Sequence, residues 1–354
     1  MQVKQLVQPR AMKKLYALTE KRPIDLSLSE NPLGCSPLVL RALKNIEIKF
    51  NDYPSPNGTT LKKKLAQKFK LDAGNFFIAN GSESIINDLP RIFGKMGDEV
   101  VVPALTFPMF AICSELADKK VIFSKMTQEL GIDLANIVQV VRPATSLIFI
   151  CNPNNPTGSL LSKQSILQLI DVIPPEVLIV VDEANIEFGG ESMIDEVTTR
   201  NNLLVLRTLS KGFGLASLRI GFAVASQPLI QKLEEETPLF QISGLSELLA
   251  TVALDDIDFI VDTKKFVSEQ RQFLRSQLVS MGCTVFPSEA NNLFVRMPMP
   301  IDEDQFVAQL KQNGISLVMG SSFKGFDNSF FRVSVRDERT NQLFVEKMKE
   351  TSGL

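Results

Sequence analysis

The sequence predicts an α/β protein: a mainly parallel, seven-stranded sheet flanked by helices, followed by a smaller α+β C-terminal domain. Three observations predict it. Seven short, β-rich and almost continuously apolar runs lie between residues 75 and 225; helical patterns separate most of them; and after about residue 250 the character shifts to long charged helices with a few strands. A strand buried on both faces reads as an unbroken apolar run, and helices must cover both sides of such a sheet.

The strand runs are 75–79, 99–102, 120–124, 146–151, 177–181, 202–206 and 220–225, with helical spacing at 82–93, 108–117 and 162–172 between them. Upstream, residues 1–22 are mixed and basic, as in a helix or arm, and 22–28 read as an extended lead-in. Ser36 followed by Pro37 gives an N-cap with proline at the first helical position. Residues 51–58 are a loop rich in turn formers, and 59–70 an amphipathic helix. Beyond residue 250, helices are predicted at 256–281 and 303–313 and strands at 284–286, 293–296, 316–318 and 330–335. The expected organisation is an N-terminal arm (1–35) packing partly with the small domain, a large cofactor-binding domain (36–250) and a small domain (251–354).

Composition removes several classes of chemistry. The chain has 354 residues and no histidine, so no Ser-His-Asp or Cys-His mechanism and no imidazole-bound metal can operate; no metal site is expected. Its net charge of −2, with both signs interspersed, advertises no nucleic-acid surface. Cys35, Cys113, Cys151 and Cys283 lie far apart, which fits a reducing, cytoplasmic location better than a disulfide framework. Neither a signal-peptide core nor a membrane-length apolar run is apparent, so no membrane partner is expected.

Ligands of open α/β sheets bind beyond the carboxyl ends of the strands. Three such ends carry polar groups: Cys151-Asn-Pro-Asn-Asn-Pro-Thr-Gly158, Val181-Asp-Glu-Ala-Asn185, and the turn containing Thr208, Ser210 and Lys211. A lysine at the end of a buried strand loses hydration, and its pKa falls toward the free amine that attacks carbonyls. A fourth end, Ala79-Asn-Gly-Ser-Glu-Ser84, opens a helix with Gly81, Ser82 and Glu83, a natural cradle for phosphate. Together they call for an aldehyde at Lys211, a ring nitrogen at Asp182, a ring hydroxyl at an asparagine, and a phosphate at Ser82, Ser210 and Arg219. Pyridoxal 5'-phosphate has these parts. The run Gly212-Phe-Gly-Leu-Ala-Ser217 approximates a dinucleotide fingerprint, but it ends in serine and occupies the wrong place in the fold.

Several of these motifs, in this order, resemble the class I/II, fold-type-I aminotransferases: Asn152-Pro-Asn-Asn-Pro-Thr-Gly158, Asp182-Glu-Ala, the run from Thr208 to Arg219, and Phe331-Arg-Val-Ser-Val335. The branch most similar contains histidinol-phosphate aminotransferase and threonine-phosphate decarboxylase, and the similarity runs from Ser29 to Arg332. The resemblance implies that Lys211 is the Schiff-base lysine and proton shuttle, Asp182 the partner of the pyridine nitrogen, and Asn155 the donor to the ring hydroxyl. Phe107 would stack on the ring and Arg332 clamp the substrate carboxylate. Asn31 would line the pocket, and Tyr53 would reach the cofactor phosphate of a neighbouring subunit. The implied protein is a homodimer with shared active sites, passing an amino group from an L-amino acid, or an amino-alcohol phosphate such as histidinol phosphate, to a 2-oxo acid. A decarboxylase-like lyase is the alternative.

This chain departs from the family pattern in the substrate region. Asn185 stands where a tyrosine usually helps to hold the ring hydroxyl, and Gly314-Ile-Ser-Leu-Val-Met-Gly320 lacks an arginine that binds substrate phosphate in histidinol-phosphate aminotransferases. Arg336, a second arginine after Arg332, looks more like the decarboxylase; it or Lys324 would replace the missing charge.

Overall fold

The computed structural model describes residues 23–298 and 302–352; the predicted N-terminal helix or arm at 1–22 lies outside the described residues. In chain order the regular elements begin with β1 (Ile24–Asp25), α1 (Pro37–Lys44), α2 (Thr59–Phe69), β2 (Phe76–Asn80), α3 (Ser82–Phe93), β3 (Glu99–Pro103) and α4 (Met109–Leu116). They continue with β4 (Lys120–Ser124), α5 (Leu134–Val140), β5 (Thr145–Cys151), α6 (Lys163–Val172), β6 (Leu178–Asp182), β7 (Leu203–Thr208), β8 (Ile220–Ala225), α7 (Gln227–Glu236) and α8 (Gly244–Ala253). The small domain adds α9 (Ile257–Ser280), β9 (Thr284–Val285), β10 (Asn292–Arg296), α10 (Glu303–Gln312), β11 (Ile315–Ser316), β12 (Val318–Met319), β13 (Phe330–Ser334) and α11 (Glu338–Ser352).

Seven strands form the large sheet in the order β2-β8-β7-β6-β5-β3-β4. Pairing is parallel from β4 across to β7, and β8 runs antiparallel to both β7 and β2. The predicted runs at 120–124 and 220–225 match their strands residue for residue. Side chains alternate between faces along each strand: Ile148 and Ile150 of β5 join one apolar core with α1, α2, α6 and α8, whereas Leu147, Phe149 and Cys151 join the other with α3, α4 and α7. Most helices begin on a side-chain cap, such as Ser36, Ser162 and Asp256. Helix α2 follows Gly58 and has no such local cap; the Glu247 carboxylate of α8 accepts from the Thr60 and Leu61 amides at 2.8 and 3.2 Å instead.

The small domain is built on the antiparallel sheet β12-β13-β10-β9, covered by α9, α10 and α11. The predicted strand 316–318 is in fact two, β11 and β12, separated at Leu317. Strand β11 pairs in parallel with β1, which brings Ile24 and Leu26 into the small-domain core. The predicted lead-in before residue 30 is therefore a strand of that domain. An apolar cluster of Leu105, Phe294, Val318 and Phe323 joins the two domains.

Candidate active site

The register of the large sheet aligns its functional ends. Cys151 lies beside Asp182, Asp182 beside Leu206, Thr208 beside Gly221, and Asn80 beside Ile220. Because β8 is antiparallel, its first residue meets the last residues of β7 and β2. Arg219, just before β8, is thereby brought to the same edge as Lys211, Asp182 and the start of α3.

Around this edge is a cavity of about 440 Å3. It is lined by Ser82, Glu83, Phe107, Asn155, Asp182, Asn185, Thr208, Ser210, Lys211, Arg219 and Arg332, so eleven of the residues singled out in the sequence converge on one space. Cys151, Ala184, Ala216 and Ser217 complete this wall, and Leu28, Ser29 and Glu30 close it from the segment after β1.

Local structure fixes each group. The Asp182 carboxylate, 3% exposed, accepts the Ala184 amide at 3.0 Å. Burial, reinforced by the neighbouring Glu183, pushes its pKa up to about 7. Burial also acts on Lys211, with help from the Arg332 and Arg219 charges, and holds its amine down at about 8; Glu30 and Asp182 pull the other way. The residue lines the cavity and is only partly buried there. Its turn is pinned from behind by Asn31, whose amide donates to the carbonyls of Lys211 (3.2 Å) and Gly212 (2.8 Å) and to Thr263 (3.2 Å).

On the phosphate side, Thr208 donates to Ser210 Oγ at 3.0 Å and accepts the Ser210 amide at 3.1 Å. Helix α3 has no side-chain cap, so the first amides of the helix, at Ser82 and Glu83, are left toward the cavity. Two glycines permit this. A Cβ on Gly221 would sit 2.1 Å from the Ser82 amide nitrogen, and one on Gly81 would sit 2.7 Å from Arg219 Nη2. Helix, strand and guanidinium can crowd together only because both side chains are missing.

Arg332 reaches the cavity from β13 of the small domain and is 4% exposed. Its Nη1 donates to Asn155 Oδ1 at 2.7 Å, and Nη2 donates to the Ser27 carbonyl. Asn155 thus spends its oxygen on the arginine and keeps its NH2 for a ligand. Asn185 lines the cavity and is 5% exposed, and its Oδ1 is buried without a hydrogen-bond partner.

Five singled-out residues do not line the cavity. Asn31 is a correction to the expectation of a pocket residue: it is 8% exposed and its amide is consumed in holding the Lys211 turn. Gly81 lies behind Arg219. Arg336 stands one shell out, with Nη1 donating to Glu30 Oε2 at 2.5 Å. Tyr53 is 87% exposed, its ring 5.2 Å from that of Phe240, and it does not reach the cavity of its own chain. Lys324 sits over the Phe123 ring at 3.8 Å. Conversely, Glu30 is a cavity residue that the sequence reading passed over; its place in Ser29-Glu-Asn-Pro-Leu-Gly34 was the available signal.

The donor set fits pyridoxal phosphate. An amine, a carboxylate, two asparagine amides, an aromatic ring and an uncapped helix start with its arginine surround one space. The close packing at Gly81 and Gly221, where an added Cβ would meet Arg219 and the Ser82 amide, marks it as a built cradle. Among the described residues no group of three or more His, Cys, Asp or Glu could hold a metal ion, and no helix is long and apolar enough to cross a membrane.

Comparison with known proteins agrees with this geometry. The family model for aminotransferase class I and II matches residues 21–348. A histidinol-phosphate aminotransferase of Moorella thermoacetica is 33% identical over 335 residues, covering 93% of this chain and 86% of that protein. The fold matches that of histidinol-phosphate aminotransferase from Sinorhizobium meliloti in complex with pyridoxal-5'-phosphate, with a TM-score of 0.87, 22% identity, and 98% of this chain and 94% of that one covered. L-threonine-O-3-phosphate decarboxylase from Porphyromonas gingivalis also matches, with a TM-score of 0.79, 20% identity, and 94% and 100% covered.

Proposed function

The chain belongs to the class I and II aminotransferases and uses pyridoxal phosphate, and we propose that it transfers an amino group to a 2-oxo acid from an L-amino acid or an amino-alcohol phosphate such as histidinol phosphate. The observation that carries this reading is the convergence of Lys211, Asp182, Asn155, Arg219 and Arg332 on one cavity.

When bound, the cofactor supplies an aldehyde that condenses with amines and a ring that withdraws electrons from the substrate Cα. The chain's own groups do the rest. Lys211, with its pKa held at about 8, is partly unprotonated near neutrality, and its amine would bond to the cofactor aldehyde and, when free, serve as the base that moves the substrate proton. Asp182 would meet the ring nitrogen and hold a proton there through a charge-assisted hydrogen bond. The amides of Asn155 and Asn185 would donate to the ring hydroxyl oxygen, and Phe107 would cover the ring. The start of α3, Thr208, Ser210 and Arg219 hold the phosphate, the arginine as a fixed fork that a lysine would not replace. Arg332 receives the substrate carboxylate from the small domain.

The same proposal extends to assembly and location: a cytoplasmic homodimer in which Tyr53 of each subunit reaches the other's cofactor phosphate. Its support is the exposed apolar surface around Tyr53, which includes Phe50 at 83% exposure and Leu239 at 62%. The division into a large and a small domain near residue 250 is supported by the separate cores and sheets, and the packing of the arm with the small domain by Ile24 and Leu26 in its core.

A decarboxylating reading shares every cofactor contact. The feature that favours it is Arg336, the second arginine after Arg332; Val318, where histidinol-phosphate aminotransferases are expected to carry a phosphate-binding arginine, is 2% exposed and packed with Phe294 and Phe323. A half-reaction screen distinguishes the two. The holoenzyme is mixed with single amino donors, including glutamate, histidinol phosphate and phosphothreonine, while the cofactor spectrum and the product are followed. Conversion of the cofactor to its amine form with release of a 2-oxo acid, or of a ketone from histidinol phosphate, is the expected result; an amine and carbon dioxide from phosphothreonine, with no amine-form cofactor, overturns it.

A further inference from the structure

Transamination needs one cavity to accept two substrates in turn, and Arg332 accounts for one anionic group of each. A second cation waits beside it. Arg332, Ser334 and Arg336 alternate along one side of β13 and its continuation, and each meets the segment after β1. Arg332 donates to the Ser27 carbonyl, Ser334 Oγ lies 3.1 Å from Ser29 Oγ, and Arg336 Nη1 donates to Glu30 at 2.5 Å. Four residues of strand set the two arginines about 13 Å apart along the chain. Ser29 and Glu30 themselves form part of the cavity wall.

The Arg336 main chain is held: Asn341 accepts its N–H at 3.0 Å and donates to its carbonyl at 2.6 Å. Its guanidinium is held less completely. One nitrogen pairs with Glu30, and Nε is buried with no hydrogen-bond partner. The pair is part-exposed, at 25% for Arg336 and 47% for Glu30, so solvent screens it and exchange of one carboxylate for another anion costs little. A fixed backbone with a lightly held guanidinium next to the cavity wall is the arrangement of a side chain that can change partners.

We propose that Arg336 is a specificity-determining residue held in reserve by Glu30: it leaves that carboxylate to take a distal anion, carboxylate or phosphate, on one substrate of the transamination, and returns to it when the substrate has none. The proposal rests on the transamination reading. It assigns Arg336 the distal group of a doubly anionic substrate, and it assigns Glu30 the part of a competitor that keeps singly charged substrates from facing an unpaired arginine.

Calorimetric titration of the holoenzyme with non-reacting acids tests this without turnover. Butyrate offers one carboxylate, succinate adds a distal carboxylate, and 3-phosphonopropionate adds a distal phosphonate. Arg336→Gln should weaken binding of succinate, of 3-phosphonopropionate or of both by about tenfold or more, while butyrate changes by less than about twofold. Glu30→Gln should tighten binding of the same acid, because its competitor is gone. Whichever acid responds tells a distal carboxylate from a phosphate. Equal changes for butyrate and the dianions, no change for any acid, or weaker dianion binding in Glu30→Gln would overturn the proposal. Failure of the transamination reading looks different: no amino donor would convert the cofactor to its amine form in the unaltered protein, whatever the binding series gives.

Discussion

Asp182 and Lys211 bear opposite perturbations within one cavity, and before the cofactor is bound both cost stability. For Asp182 the folded pKa, about 7, lies above its ordinary 3.8, so the folded protein holds the proton more tightly than the unfolded chain does. Stability is then full below about pH 4 and falls as pH rises through 7, by on the order of 4 kcal/mol if the whole shift is expressed. Lys211 has the reverse sign: its folded value of about 8 lies below 10.5, so its penalty is constant below pH 8 and disappears only toward 10.5. The slope between pH 4 and 7 therefore contains Asp182 but not Lys211. Denaturant unfolding of the cofactor-free protein should show Asp182→Asn flattening that slope; an unchanged slope would mean that the carboxylate is not perturbed. At this scale the sequence was readable wherever several motifs had to agree on one ligand, as at Lys211, Asp182 and Asn155. Asn31 and Glu30 are neighbours in one motif. Which of them faces the cavity depends on how residues 27–31 lie against β13 and the Lys211 turn, which no local pattern encodes.

Among the elements, the seven strands of the large sheet were legible because burial on both faces leaves an unbroken apolar run. Helix α3 was legible because its apolar stripe faces β8 and α4 across a polar outer side. Helices α5, α7, α8 and α11 were not. Helix α5 is seven residues long, α8 is apolar on nearly every side and shows no stripe, and α7 ends in three consecutive glutamates. The contact between α3 and β8 carries the phosphate end of the site, and its tolerance is small. Gly221→Ala must push the Ser82 amide away, since the added carbon would start 2.1 Å from it. The expected result is a loss of about 1–3 kcal/mol of stability, together with weaker cofactor binding, read by thermal unfolding and by titration of the apoprotein with cofactor. Unaltered affinity would mean that the start of α3 does not hold the phosphate.

Across the whole molecule, the cavity exists only where the two domains meet. Arg332 ties β13 to Asn155, Asn292 donates to the Pro156 carbonyl at 2.7 Å, and Asn291 donates to the Ser29 carbonyl at 3.0 Å. The small domain therefore grips the Asn152–Gly158 loop from which Asn155 reaches the cavity. Division into a large and a small unit could be read from the change in composition near residue 250, but these cross-domain bonds join residues more than a hundred positions apart and leave no local trace. Tyr53→Phe should raise the cofactor dissociation constant by about tenfold, as expected for a lost hydrogen bond to a charged group, without altering a dimeric mass by light scattering. A monomeric mass for the unaltered protein would remove the shared-site account. The central claim is that Lys211 bonds to the cofactor, and reduction of the holoenzyme with borohydride followed by peptide mass mapping tests it directly. The expected product is one cofactor-sized adduct on Lys211, absent in Lys211→Ala together with the visible absorption band. An adduct on a different lysine, or none in a protein that still carries the band, would contradict it.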